Sequence, residues 1–205
     1  MTILQLNTSI NSADGHSSRL AEQFVTAWRD THSGTDVVVR DLATDPIPHL
    51  DALRFGAFVR KADERTSEEQ AIVEFSDRLI DELRRADVIV IGLPMYNFGI
   101  PSTLKTYFDH VARAGVTFRY TPQGPQGLLT GKRAYIFATR GGIYAGTARD
   151  SQTAYMRDFL AFLGIEQVEF VYAEGLALGE EHRTAALGAA REAIAEYAAE
   201  DLLAA

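Results

Sequence analysis

The sequence predicts a doubly wound α/β domain, with a five-stranded parallel sheet that carries helices on both faces. Short apolar runs alternate with amphipathic helical patterns along the chain. The run DVIVIGL at residues 87–93 is almost continuously apolar, as a central strand must be when helices cover both faces of its sheet. No repeat of fixed period and no low-complexity linker interrupts the pattern, so we expect one domain over residues 1–205.

The first elements are a strand at residues 3–7, a helix at 17–32 and a strand at 36–41. The helix is predicted because its apolar side chains recur at helical spacing and share one face. These side chains are Leu20, Phe24, Ala27 and Trp28. Prolines then break the chain, so we expect residues 42–66 to be irregular.

A helix at residues 67–85 comes next, and Ser67, Glu69 and Gln70 resemble a capping box at its start. Its apolar face consists of Ile72, Phe75, Leu79, Ile80 and Leu83. After the central strand, Pro101 stands near the start of another helix. The buried face of that helix is predicted to be Leu104, Tyr107, Phe108 and Val111.

The last elements are strands at residues 132–139 and 167–174 and helices at 151–163 and 180–202. Helices between successive strands imply right-handed crossovers and parallel pairing. In such sheets ligands bind beyond the carboxyl ends of the strands, where the strand order reverses. The loops after the first, third and fourth strands are therefore the candidate binding loops.

Composition excludes several classes of function. The absence of cysteine excludes a disulfide framework, a thiolate metal site and a cysteine nucleophile. A net charge of −8 disfavours binding to nucleic acid or to anionic membranes. The chain shows no apolar run of about 18 residues and no leader pattern, so we expect a cytoplasmic protein. The histidines lack H-E-x-x-H spacing and G-x-S-x-G is missing, which disfavours a metal site and a serine hydrolase.

The first candidate loop, TSINSADGHSSRL at residues 8–20, combines hydroxyls, a glycine and the start of a helix. Free N–H groups and the positive end of the helix dipole favour phosphate there. Neither G-x-G-x-x-G nor a P-loop lysine motif is present, so a monophosphate fits better than a dinucleotide or a triphosphate. The alternative is a solvated loop in which Ser17 or Ser18 caps the helix.

The second loop follows the central strand, which Pro94 ends. Met95, Tyr96 and Phe98 offer flat or soft apolar surface, whereas Asn97 offers hydrogen-bond donors and an acceptor. Together they suit a planar heterocycle with polar edges. The alternative is a buried turn whose aromatic side chains cover the end of the sheet.

The third loop, ATRGGIYAG at residues 138–146, brings Thr139 and Arg140 to the end of a strand and follows them with Gly141 and Gly142. Paired glycines let the backbone approach a ligand, and Arg140 adds a fixed positive charge. The alternative is a flexible loop with a solvated arginine.

These motifs resemble a known family. The stretch PMYNFGIPSTLKTYFDHVARAGVTFRYTPQGPQGLLTGK, with TRGG after it and VRDLATDPIPHLD before it, is similar to the FMN-dependent NADH:quinone oxidoreductases known as azoreductases. The resemblance runs over nearly the whole chain. It implies a flavodoxin-like fold, a homodimer, one FMN per subunit, and NADH as the electron donor, with NADPH left open. It also implies quinone or azo substrates and two-electron, ping-pong transfer.

The resemblance assigns FMN to three groups of residues. They are Ser9, Gly15, His16 and Ser17 at the phosphate; Pro94, Met95, Tyr96, Asn97 and Phe98 at the isoalloxazine; and Thr139, Arg140, Gly141 and Gly142 along the pyrimidine edge. The family usually has Ser-x-Ser where this chain has Gly15-His16-Ser17, so Ser12, Ser18 or His16 is expected to replace the missing hydroxyl.

The resemblance also assigns the substrate pocket. Residues 115–129, with Phe118 and Tyr120, would form a lid, and Phe162 or Phe159 would reach into the site of the partner subunit. The flavin carries the chemistry, so no catalytic side chain is expected. Arg140 and loop amides are expected to stabilise the reduced flavin. The alternative function is an electron carrier or flavin-binding sensor that does not turn over a pyridine nucleotide.

Overall fold

A computed structural model describes residues 1–199 of the chain. It contains seven strands and six α-helices in this part of the chain. In chain order they are β1 (Thr2–Asn7), α1 (His16–Thr31), β2 (Asp36–Asp41), α2 (Ala52–Val59), α3 (Ser67–Arg85), β3 (Val88–Pro94), α4 (Ser102–Val111), β4 (Phe118–Thr121), β5 (Gly124–Gly127), β6 (Arg133–Thr139), α5 (Ser151–Leu163), β7 (Gln167–Ala173) and α6 (Glu180–Ala198).

Five of these strands form one parallel sheet in the order β2-β1-β3-β6-β7. The predicted doubly wound sheet is therefore confirmed. Every residue of β3 is buried, as its apolar run predicted for the central strand. The strand order reverses between β1 and β3, so the binding crevice is expected at their carboxyl ends.

Each face of the sheet carries its own apolar core. On one face, α3, α4 and α5 cover side chains such as Ile89 and Ile91 of β3. On the other face, α1 and α6 cover Val88 and Val90. Phe24 of α1 packs its ring 4.5 Å from that of Tyr135 on β6. Burial on both faces fixes the sheet between two helical layers and leaves its carboxyl edge free for loops.

The structure differs from the sequence prediction in residues 42–66. These residues contain α2 in addition to irregular chain, because both prolines precede the helix and the Asp51 carboxylate caps it at the Arg54 amide. The cap of α3 is Thr66 rather than Ser67. The Thr66 hydroxyl accepts from the Glu69 amide, and the Glu69 carboxylate accepts from the Thr66 amide.

Two further differences concern residues 115–129 and the end of the chain. The predicted loop contains an antiparallel hairpin of β4 and β5. The last helix is described as far as Ala198, and the end of the predicted range 180–202 lies outside the described residues. None of the helices within residues 1–199 is long and apolar enough to span a bilayer.

Candidate active site

The structure brings the three predicted loops together at the carboxyl edge of the sheet. The Met95 amide donates to the Thr139 carbonyl at 2.9 Å, which joins the loops after β3 and β6. The Tyr96 hydroxyl lies 3.3 Å from the Ser9 hydroxyl and accepts from the Ile10 amide at 3.2 Å. These contacts join the loops after β1 and β3 on the other side, so the three loops form one site.

The start of α1 presents unused hydrogen-bond donors. Gly15 is its N-cap and has no side chain to accept from the helix. The amides of His16, Ser17 and Ser18 occupy the first turn, where no intrahelical acceptor exists. The hydroxyls of Ser17 and Ser18 are buried and have no partner within residues 1–199. A helix start with these donors is a site for an anion such as phosphate.

Glycine is required at position 15 by the closeness of Ser9. A Cβ atom on Gly15 would lie 2.2 Å from the Ser9 hydroxyl oxygen and 2.5 Å from its Cβ atom. The Gly15 backbone is extended, with φ −65°, so its torsion angles alone do not demand glycine. This contact gives a physical reason why the chain departs from Ser-x-Ser at this point.

The structure separates the candidates for the missing hydroxyl. Ser12 donates its hydroxyl to the Asp41 carboxylate and is already engaged. The side chain of His16 is exposed, whereas Ser18 is buried with a free hydroxyl. Ser18 therefore joins Ser17 as the better placed donor.

The loop after β3 makes a tight turn. The Tyr96 and Gly99 amides and carbonyls exchange hydrogen bonds, and Asn97 and Phe98 between them have φ values of +50° and +62°. Asparagine adopts this conformation with little cost, but phenylalanine does not. Strained backbone of this kind persists where surrounding contacts hold it, and it is concentrated at functional sites. The Phe98 ring is left 54% exposed by the turn.

The loop after β6 presents two free amides. The carbonyls of Gly141 and Gly142 accept from the amides of Ala177 and Gly175. Their own N–H groups donate to no acceptor in the described part of the chain. The loop is therefore fixed from one side and offers donors on the other.

Arg140 does not present the free positive charge that the sequence suggested. Its side chain is fully buried and pairs with Asp150 at 2.8 Å and Glu174 at 3.0 Å. The guanidinium also donates to Gln152 and lies 5.1 Å from the centre of the Tyr172 ring. Its charge is compensated inside the protein, so the expectation that it stabilises a reduced ligand directly is corrected.

Sequence reasoning missed Asp150, Gln152 and Glu174, which hold this arginine. Asp150 and Gln152 stand at the start of α5 and Glu174 follows β7, so no sequence motif connects them to the arginine. Burial raises the pKa of the Asp150 carboxyl, but hydrogen bonds from Thr153 and Arg140 outweigh burial and hold that pKa below its usual range. The carboxylate therefore stays ionised opposite the guanidinium.

The predicted substrate-pocket residues form one aromatic cluster. The Phe118 ring of β4 lies 4.2 Å from that of Phe162 on α5 and 5.5 Å from that of Tyr120. Phe118 is buried, Phe162 is half-buried and Tyr120 is 75% exposed. Phe159 is engaged elsewhere and stacks on Phe108 at 4.0 Å. Among residues 1–199 no group of acidic residues or histidines could hold a metal ion.

Comparison with known proteins agrees with this architecture. Residues 1–198 match a family described by its flavodoxin-like fold. The FMN-dependent NADH:quinone oxidoreductase 6 of Burkholderia lata is 56% identical over 95% of this chain and 98% of its own length. The FMN-dependent NADH:quinone oxidoreductase of Cellvibrio japonicus is 54% identical over 87% of this chain and 90% of its own length.

Solved structures give the same result. An azoreductase of Bacillus anthracis superposes with a TM-score of 0.89 at 28% identity, covering 97% of this chain and 99% of that one. An FMN-dependent NADH-azoreductase of the same species, in complex with FMN, superposes with a TM-score of 0.87 at 29% identity, over 96% and 97% of the two chains. The chain therefore belongs to the flavodoxin-like family of FMN-dependent NADH:quinone oxidoreductases.

Proposed function

We propose that this protein is an FMN-dependent oxidoreductase that transfers two electrons from NADH to quinones and also cleaves aromatic azo compounds reductively. One observation carries the proposal: three loops meet where the strand order reverses. At this place the donors at the start of α1 and the amides of Gly141 and Gly142 have no partner within residues 1–199. The 56% identity to the Burkholderia lata enzyme supports it. We propose residues 1–205 as a single FMN-binding domain.

The residues fit FMN because they provide for both of its parts. Ser9, Gly15, His16 and Ser17 would hold the phosphate, and the unpartnered hydroxyls of Ser17 and Ser18 match an acceptor of that kind. The isoalloxazine would lie against Pro94, Met95, Tyr96, Asn97 and Phe98, and against Thr139, Arg140, Gly141 and Gly142. In this arrangement Arg140 would support the loop from within, because its side chain is buried in ion pairs and its backbone amide and carbonyl bond to Ala173 and Leu176.

When bound, FMN supplies the two-electron chemistry, so the chain needs no acid–base pair of its own. The amides of Gly141 and Gly142 are fixed donors, and such donors stabilise negative charge with little reorganisation. The turn at Asn97 and Phe98 provides a flat surface beside the ring. NADH and the acceptor would occupy this surface in turn, which predicts parallel lines in a double-reciprocal plot of initial rates.

The pocket is proposed to be completed in a homodimer. The aromatic cluster of Phe118, Tyr120 and Phe162 supports this, because Tyr120 is largely exposed and Phe162 only half-buried. Sedimentation should give a dimer, and Phe162→Ala should raise KM for the quinone more than the Kd for FMN. A monomer with full activity would contradict the shared pocket.

The remaining parts of the proposal concern location and partners. We place the enzyme in the cytoplasm, where NADH is supplied, and expect neither a nucleic-acid nor a membrane partner because the net charge is −8. NADH is the proposed donor because the relatives are named for it.

A titration tests the cofactor and the function together. The apoprotein should quench the fluorescence of one equivalent of FMN and bind riboflavin, which lacks the phosphate, more weakly. Continuous turnover of NADH should then require both FMN and a quinone such as menadione. Tight FMN binding without NADH oxidation would identify an electron carrier or sensor instead.

A further inference from the structure

Gln152 occupies a special position on α5. Its side chain is fully buried, and its amide nitrogen donates to the carbonyls of Pro94 and Gly99, each at 3.0 Å. These two carbonyls stand at the beginning and the end of the turn that carries Asn97 and Phe98. Both amide hydrogens of this glutamine are therefore used to close one loop.

The same glutamine also contacts the loop after β6. Its amide oxygen accepts from the Arg140 guanidinium at 3.2 Å. Arg140 pairs with Glu174, and the Glu174 carboxylate accepts from the amides of Tyr144 and Ala145 at 2.8 and 2.9 Å. A continuous set of buried polar contacts thus connects the turn after β3 to the glycine loop after β6.

The polar contacts of Gln152 hold a turn whose backbone is strained. Asn97 and Phe98 have positive φ values, which a non-glycine residue holds only when its surroundings determine the backbone. The two bonds from Gln152 fix both ends of that turn. A buried network whose members are all satisfied defines one arrangement of its parts, since any shift leaves a polar group without a partner.

We propose that Gln152 is a positioning residue that sets the turn at residues 94–99 and the glycine loop at residues 140–146 at the spacing that the flavin ring requires. The proposal rests on the assignment of these two loops to FMN made above. Gln152 would not contact the flavin; it would act through the backbone carbonyls of Pro94 and Gly99 and through Arg140.

Two substitutions of Gln152 distinguish a role in positioning the loops from a contribution to the stability of the fold alone. Gln152→Glu keeps the shape and an acceptor for Arg140, but it replaces the donor with an oxygen that faces the two carbonyls. Gln152→Met keeps the approximate volume and removes all polar contacts. We expect the Kd for FMN to rise about tenfold or more in both. We also expect the reduction potential of the bound flavin to shift, because the glycine amides move relative to the ring.

Comparing FMN with riboflavin shows which end of the site the Gln152 substitutions disturb. Because the phosphate end at α1 is untouched, the Kd for riboflavin should rise by the same factor as the Kd for FMN in both Gln152 variants. In Ser17→Ala, by contrast, the Kd for FMN should rise and that for riboflavin should not. The ratio of the Kd for riboflavin to the Kd for FMN therefore distinguishes a change in the loops beside the flavin ring from a change at the phosphate end. A change in overall stability does not produce this pattern.

Ser76→Ala is the matched control. Ser76 is also buried, and its hydroxyl donates to the carbonyl of His110 on α4 and accepts from Arg113, away from the three loops. We expect the control to lower the Tm of the apoprotein as the Gln152 variants do, with the Kd for FMN unchanged. Gln152→Asn, which keeps the amide but shortens its reach, is the additional variant if the others do not fold.

The outcomes are distinct. Equal loss of FMN and riboflavin affinity with a shifted potential supports the proposal. Folded Gln152 variants that bind FMN within about twofold of the wild type overturn it and leave Gln152 a structural residue only. If the wild-type protein does not bind FMN, the proposed function itself fails.

Discussion

At position 15, a single methyl group is expected to disturb the phosphate end of the site. In Gly15→Ala, the new Cβ would lie 2.2 Å from the Ser9 hydroxyl oxygen, so Ser9 must move. We expect the Kd for FMN to rise about tenfold, equivalent to about 1.4 kcal/mol, as measured by fluorescence quenching. Gly188→Ala is the control, because Gly188 lies in α6 with open space around it and its substitution should leave the Kd unchanged. An unchanged Kd in Gly15→Ala would show that Ser9 is not part of the site.

His110 is a second residue with a measurable consequence. It is fully buried on α4, its Nδ1 donates to the Thr106 carbonyl at 3.0 Å, and its Nε2 has no partner in the described structure. The rings of Phe58 and Phe75 lie nearly perpendicular to the imidazole, with centroids 5.9 and 5.8 Å from its own. Burial lowers the pKa of the His110 imidazole, so the folded protein holds it neutral.

The sign of the pH effect follows from this lowered pKa. The unfolded chain takes up a proton near pH 6.5, whereas folded His110 does so only at lower pH, so stability falls as pH decreases through that window. The slope for one proton is at most about 1.4 kcal/mol per pH unit. Urea unfolding should show that His110→Leu loses less stability than the wild type between about pH 7.5 and about pH 5.5. An identical loss in both proteins would contradict the assignment, and His49→Gln, at an exposed position, should behave as the wild type.

At the scale of elements, the β4–β5 hairpin depends on close contact with the end of α5. A Cβ atom on Gly127 would lie 2.0 Å from the Gly164 nitrogen and 2.3 Å from the Leu163 carbonyl carbon. These are backbone atoms and cannot rotate away as a side chain does. We expect Gly127→Ala to destabilise the protein by about 2 kcal/mol or more in urea unfolding.

The same variant tests the lid. If the hairpin covers the substrate, Gly127→Ala should raise KM for the quinone while the Kd for FMN stays near the wild-type value. A raised Kd for FMN with an unchanged KM would place the hairpin against the cofactor instead of the substrate.

Elements with strong periodicity could be predicted from the sequence, and others could not. The range of α3 follows from apolar residues at helical spacing, and the ranges of β2 and α5 also agree with the prediction. The helix α2 was missed because prolines precede it and its cap is a single aspartate. The hairpin was missed because its strand Gly124–Gly127 contains only glycine, proline and glutamine, which form strands poorly.

The site was predictable to the extent that local chemistry defines it. Hydroxyls at a helix start, and glycines after a strand, indicate where ligands bind whatever the distant partners are. Arg140 was assigned a free charge because its partners Asp150 and Glu174 are brought to it by the fold alone. Gln152 was missed for the same reason, since both of its carbonyl partners precede it by more than 50 residues.

At the scale of the whole molecule, the strand order explains how separate loops become one site. Because β1, β3 and β6 are adjacent and parallel, their carboxyl ends lie side by side, and the loops that follow them meet. The buried sheet supplies rigidity, while the loops supply the groups that contact a ligand. We propose that this edge of the sheet binds FMN, which passes electrons from NADH to a quinone.

An anaerobic experiment in two steps tests this electron transfer. The FMN-loaded protein is mixed with NADH while the flavin absorbance is followed, and a quinone is then added. We expect the absorbance to bleach with one equivalent of NADH and to return with one equivalent of quinone. Bound flavin that bleaches with neither NADH nor NADPH would contradict it.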